Sequence, residues 1–163
     1  VRANLVVVKV GTEGRISIAN NSGFTDVVAD LVGWYAPGPT GARFNAVTPR
    51  RVLDSRPESQ VGSYATPWGP GEARGAGAAG PDGTGIPTTV TGVVLNVTGV
   101  VPTAATHLTV WPFGTPMPVA SNLNLPAGSV RPNLVIVGGG SVSIRNNSGQ
   151  THVVADLVGW FGP

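Results

Sequence analysis

The chain has two imidazoles, His107 in "ATHLTV" and His152 in "QTHVVAD", eight carboxylates and no cysteine. Acid–base or nucleophilic chemistry needs such a group beside a nucleophile, or two carboxylates at one cleft. Neither histidine stands in a Gly-x-Ser-x-Gly or His-Glu-x-x-His frame, and both fall in β-branched runs that read as strand faces. "GPDGTG", from Gly80, lacks the P-loop lysine and the alternating oxygen ligands of an EF-hand, and reads as a turn. No thiolate site or disulfide is available. The expectation is a chain with no catalytic residue, no metal site and no cofactor.

Two acids stand out. Asp30 and Asp156 each interrupt the same apolar run, "VVADLVGW". Side chains alternate along a strand, so Val153, Ala155 and Leu157 take one face and Val154, Asp156, Val158 and Trp160 the other. Both faces are apolar apart from the carboxylate, which places the strand centrally and the carboxylate at least partly inside. A buried charge requires a partner. Lys9 is the only lysine, and arginines gather in "RRVLDSR", so Arg51 or Arg56 is expected to hold Asp30 or Asp156 in a structural ion pair.

Aromatic rings are the other candidates. Tyr64 and Trp68 lie between Pro57 and Pro87, where strand pattern is weak, and Trp111 precedes "PFGTPMP". Exposed, these three rings would form a stacking platform for sugars; buried, they would pin a long surface excursion to the body. Trp34 and Trp160 occupy equivalent places in a repeat and are expected in a core or interface.

That repeat organises the elements. "VRANLVVV" from Val1 matches "VRPNLVIV" from Val130, and "RISIANNSGFTDVVADLVGWYAP" matches "SVSIRNNSGQTHVVADLVGWFGP" once "KVG" is set aside. About two thirds of the aligned positions are identical, at a spacing that suits a whole β-domain rather than a solenoid turn. A fainter echo, "TGVVLNVTGV" from Thr91, places Asn96 where the others have Asp30 and Asp156. Short β-branched runs separated by Gly, Pro, Asn and Ser predict strands at "NLVVVKV", "RISIAN", "VVADLVGWY", "VVLNVTGV", "HLTVWPF", "ASNLNL", "NLVIVG", "SVSIRN" and "VVADLVGWF". "NNSG", at Asn20 and again at Asn146, reads as a hairpin turn. Pro49, Pro102, Pro112 and Pro132 are expected at strand margins.

The 163 residues suffice for one core, and the 24 glycines and 15 prolines punctuate dense Val/Leu/Ile runs. The predicted fold is all-β, an antiparallel β-sandwich with Greek-key or jelly-roll connections; a β-trefoil is the alternative that three echoes allow. A net charge of +2 with 11% charged residues gives no basic stripe, so no nucleic-acid partner is expected. No apolar run has the length of a membrane span, so no membrane insertion is expected. The opening "VRANLVVVKV" starts in mid-pattern, as a piece of something longer would.

"VTPRRVLDSR", "VVLNVTGVVPTAATHLTVWPFGTPMPVASNLNLPAGSVRPNLVIV" and "VVADLVGWF" together resemble a repeat domain common in large secreted and surface proteins of actinobacteria. There the order is RVLDTR, AVVLNVT, LTVYP.GTPRP.ASNLN, NLV and a closing DVAGYF. The resemblance covers about Val47 to Phe161, and again Val1 to Tyr35. It implies an extracellular or cell-surface accessory module, found in tandem arrays or beside hydrolase domains, without an activity of its own. Family members carry a further strand of the LGPGQTLTVQV type where this chain reads "WGPGEARGAGAAG", which leaves that strand and its sheet edge unaccounted for.

The expected organisation is therefore residues 1–37 as the last three strands of one repeat and residues 38–163 as a complete repeat. Three strands cannot bury their faces alone. They are expected to pack through Val6, Val8, Val28 and Trp34 on the body of the chain or on a neighbouring repeat or subunit. Two function classes follow: a non-catalytic structural module of a stalk, surface array or self-assembling fibre, whose partner is itself, or a carbohydrate-binding module of a secreted hydrolase, whose partner is a polysaccharide.

Overall fold

The structure is a computed structural model that describes residues 2–36, 38–80 and 86–163. Its strands are β1 (Arg43–Asp54), β2 (Ala73–Gly77), β3 (Gly92–Val100), β4 (Thr106–Pro112), β5 (Leu123–Leu125), β6 (Val130–Gly138), β7 (Ser141–Asn146) and β8 (His152–Gly162). They form two four-stranded antiparallel sheets, ordered β1-β8-β3-β6 and β2-β7-β4-β5. The architecture is a β-sandwich, and the three-lobed trefoil alternative is excluded.

The order of pairing is that of a jelly roll. β4 pairs with β5, β3 with β6, β2 with β7 and β1 with β8. An outgoing arm, β1–β4, thus meets a returning arm, β5–β8, as in one long hairpin. Rolling that hairpin brings β8 against β3 and β7 against β4, which closes both sheets. Every link except β4–β5 passes from one sheet to the other. "NNSG" from Asn146 is one of these crossings, not a hairpin, because β7 and β8 lie in different sheets.

Alternation decides which face is inside. Val93, Leu95 and Val97 of β3, and Val153, Ala155 and Leu157 of β8, point between the sheets and are buried. Leu108 and Val110 of β4 and Val142 and Ile144 of β7 meet them from the other side. The fainter "TGVVLNVTGV" echo follows from placement: β3 and β8 are adjacent central strands, with Asn96 opposite Asp156. Pro49 and Pro132 lie within strands rather than at their margins. Both strands, β1 and β6, are sheet edges, and Pro49 falls where the β1 register shifts, so neither missing N–H breaks an inner ladder.

Three expectations are corrected. First, "WGPGEARGAGAAG" does supply a strand: Ala73–Gly77 pairs with Ser141–Arg145 as the edge of the second sheet. The Pro57–Pro87 stretch is therefore part sheet, not an excursion over the surface. Second, β1 is a twelve-residue strand that the Pro- and Arg-rich "RFNAVTPRRVLD" conceals. Third, "NLVVVKV", "RISIAN" and "VVADLVGWY" are not strands here; a single 3-10 turn, Thr12–Gly14, lies between the first two runs.

Nor do those residues pack within the chain as expected. Val6, Val8, Val28 and Trp34 are 68%, 54%, 87% and 80% exposed. The segment touches the sandwich near its ends, where Arg2–Asn4 border a cleft with Ser129–Asn133 and the Tyr35 ring lies 6.1 Å from that of Phe161. The physical reason is topological: β6, β7 and β8 of the chain already occupy the positions in the two sheets that these repeated runs would take. Of the "GPDGTG" turn, all but Gly80 lies outside the described residues.

Candidate functional site

Along the β1–β8 seam, strand register sets Arg51 opposite Asp156. Arg51 Nε donates to Asp156 Oδ1 at 3.0 Å, and its Nη1 donates to Asp54 Oδ2 at 3.0 Å. Arg56 meets the same Asp54 with Nε at 3.0 Å, Nη2 at 2.7 Å and its backbone N–H at 3.1 Å. The most enclosed charge in this cluster is Asp54, which is fully buried, whereas the side chains of Asp156 and Arg51 are 24% and 39% exposed. The hydrogen bonds from Arg56, then its charge and that of Arg51, hold the Asp54 carboxyl below its ordinary value against the opposing effect of burial. The bond to Asp156 likewise raises Arg51.

Arg56 therefore serves Asp54, not Asp156. Asp30, the sequence twin of Asp156, lies in the exposed segment, and no arginine pairs with it among the described residues. The sequence puts arginines within reach of Asp54; what it hides is the burial, because a charge in a charged run reads as solvated. The available signal was its flanking by Arg51 and Arg56 at a spacing that lets both reach one carboxylate.

Ser55 and His152, 97 positions apart in sequence, form the one hydroxyl–imidazole pair among the described hydrogen bonds, with Oγ 3.1 Å from Nδ1. Its geometry opposes catalysis. His152 Nδ1 also lies 3.0 Å from the Ser55 carbonyl oxygen, which can only accept, so Nδ1 carries the hydrogen and cannot take a proton from Oγ. Ser55 is buried, and its Oγ accepts the Val153 N–H at 2.9 Å. The pair continues the β1–β8 seam by one rung. His107 lies on β4 opposite Asn124. No group of three His, Asp or Glu side chains suited to a metal gathers among the described residues.

Two of the three aromatic candidates are buried, and the third is partly covered. Trp68 is fully buried, and its Nε1–H donates to the Ile144 carbonyl at 2.9 Å. Tyr64 packs edge-on against it at 5.4 Å, and the Arg74 guanidinium covers both rings, 5.0 Å from one and 4.5 Å from the other. Glu72 anchors Arg74 at 2.7 Å. Trp111 is also buried, with Nε1–H bonded to the Thr115 carbonyl at 3.0 Å. Trp68 and Trp111 therefore present no open face to a sugar, and the platform of Tyr64, Trp68 and Trp111 is replaced by a clamp that fastens the β1–β2 link to the second sheet.

Asn146 was missed as well, although "NNSG" occurs twice. It is fully buried at the crossing from β7 to β8. Its Nδ2 hydrogens face the carbonyls of Trp68, Gly69 and Gly149 at 3.2, 3.1 and 2.8 Å, and Oδ1 accepts from Thr106 Oγ1 at 2.7 Å. The same residue type at Asn20 makes only the local part of this pattern, to the Gly23 carbonyl at 2.8 Å.

An unusual feature of the described residues is a surface. Residues 2–36 present a row of large apolar side chains that includes Ile16, Ile18, Val27 and Leu31. No helix is long and apolar enough to cross a membrane. No protein-family model, no curated protein and no solved structure matches the chain.

Proposed function

We propose that the chain is a non-catalytic structural module of an extracellular tandem-repeat protein, a unit of a stalk or fibre in which β-sandwiches follow one another. The observation that carries this reading is the recurrence of the β6–β8 sequence at residues 2–36, beside a sandwich that already contains its own β6–β8. A second set of strands has no use inside one jelly roll and is what a neighbouring repeat would contain. Rigid, fully wound sandwiches with a charge-clamped seam suit a spacer. The carbohydrate-binding alternative loses its main support with the burial of Trp68 and Trp111.

Small-angle scattering from one, two and three copies of residues 38–163 joined in tandem tests the reading. The expected particle keeps its cross-section and lengthens with each copy. A particle whose cross-section grows with copy number would overturn the stalk.

A further inference from the structure

We infer that residues 2–36 are the returning arm of a second jelly roll, and that their partner is the outgoing arm of another repeat of this kind, strands equivalent to β1–β4 with β5. The inference rests on the tandem-module reading and names the surface through which such a module is completed.

Position by position, the segment reproduces what the sandwich buries. Val135 and Val137 of β6, Val142 and Ile144 of β7, and Val153 and Leu157 of β8 are all buried core residues. Their sequence equivalents are Val6 and Val8, Ile16 and Ile18, and Val27 and Leu31, all apolar and all exposed. Chance patterning would not retain every inward position of three strands that belong to two different sheets. Polar positions are retained too. Asn20 and Thr25 repeat Asn146 and Thr151, and Asp30 repeats the arginine-bound Asp156.

Part of the arm is already shaped. Asn20 Nδ2 donates to the Gly23 carbonyl at 2.8 Å, as Asn146 does to that of Gly149, and the two glycines have φ of 68° and 58°. That crossing is built before any sheet exists to cross. The additional "KVG" falls between the β6-like and β7-like runs, at the Gly11–Arg15 turn closed by a 2.9 Å bond. It therefore lengthens a loop at the end of the sandwich and leaves the registers intact.

Counting arms identifies the partner. The chain has two copies of the β6–β8 part of a returning arm, residues 2–36 and β6–β8 itself, and one outgoing arm, β1–β4. Exchange of arms between copies of this chain conserves those numbers, so every swap that seats one arm releases another. Only an additional outgoing arm can satisfy residues 2–36. In sheet one it must leave a slot between β1-like and β3-like strands for the VVADLVGW run, and in sheet two a slot between β2-like and β4-like strands for RISIAN. Its RVLDSR-like edge then supplies Asp30 with the guanidinium that Arg51 gives Asp156.

The test places a second copy of residues 38–129 directly before the full 163-residue chain and follows amide hydrogen exchange. Val6, Ile16, Ile18, Val27 and Leu31 are expected to slow by about a hundredfold or more relative to the unextended chain, as strand amides do when a sheet forms. Asp30→Ala should then destabilise the first sandwich only. Unchanged exchange in a soluble extended chain overturns the inference. If that chain is insoluble, a chimera of residues 38–129 followed by 1–37 replaces it: a cooperative melt supports the inference and an unfolded chain overturns it. Loss of this arm pairing leaves the length-with-copy-number result intact, so the two readings fail separately.

Discussion

Arg51 and Asp156 face each other across β1 and β8, Nε to Oδ1 3.0 Å apart, while the same guanidinium reaches back to Asp54. One side chain thus joins a partly exposed carboxylate to a fully buried one, and the two should differ in what their loss costs. Asp54→Ala leaves Arg56 without its carboxylate, while Arg51 keeps Asp156, and removes several charge-assisted hydrogen bonds at a buried position, so it is expected to cost about 2–3 kcal/mol. Asp156→Ala removes a partly solvated pair and is expected to cost about 1 kcal/mol. Urea unfolding of the two variants checks the order; equal losses would contradict the burial assigned to Asp54.

The same carboxylate sets the acid limit. Hydrogen bonds from Arg56 hold Asp54 below its ordinary 3.8 in the folded state, whereas in the unfolded chain it titrates at the ordinary value. Between the two values the unfolded state binds more protons, so stability falls with falling pH. Its contribution is complete above about pH 4–5 and disappears as pH drops through the depressed folded value. Glu72, held below 4.5 by Arg74, acts in the same direction. Asp54→Asn should flatten the dependence of the urea midpoint on pH below 4; an unchanged slope would assign the acid limit elsewhere.

Trp68 is expected to behave as core. Trp68→Ala opens a large cavity and should cost about 3–5 kcal/mol. Trp68→Phe keeps most of the packing but loses the bond to the Ile144 carbonyl, and should cost about 1 kcal/mol beyond the loss of ring volume. Thermal melts of both variants distinguish this from a surface ring, whose removal would leave the midpoint in place.

Gly159 and its sequence twin Gly33 offer a matched pair. A Cβ on Gly159 would meet the Phe44 ring and lie 2.9 Å from the Asn45 carbonyl oxygen, whereas one on Gly33 meets nothing. Gly159→Ala should therefore cost about 1–3 kcal/mol through strain at the β1–β8 seam. Gly33→Ala should stay within about 0.5 kcal/mol of the parent. Equal effects in denaturant unfolding would mean that both segments are packed alike.

The sandwich was legible because β3, β4, β6, β7 and β8 are short β-branched runs bounded by Gly, Pro, Asn or Ser. β2 was not, since "ARGAG" has no β-branched residue; it is a strand because β7 pairs with it. β1 was hidden by Pro49 and three arginines, which an edge strand with a shifted register tolerates. The reverse error, strands expected in residues 2–36, has the same origin. Their sequence suits a pleated, half-buried surface, but a strand exists only when a partner supplies the other half of the ladder. The Arg51–Asp156 contact could be reached by elimination among few charges, and Asp54 has its arginines three residues before and two residues after it; Ser55 and Asn146 could not be reached, because their partners depend on crossings that no local pattern reveals.

The most direct measurement is the melting of the chain with residues 1–37 removed. If that segment duplicates a returning arm and belongs to another sandwich, the remaining 38–163 unit keeps a cooperative transition within about 2 °C of the full chain. A drop of about 10 °C, or loss of cooperativity, would show that the segment belongs to this sandwich and would contradict the account.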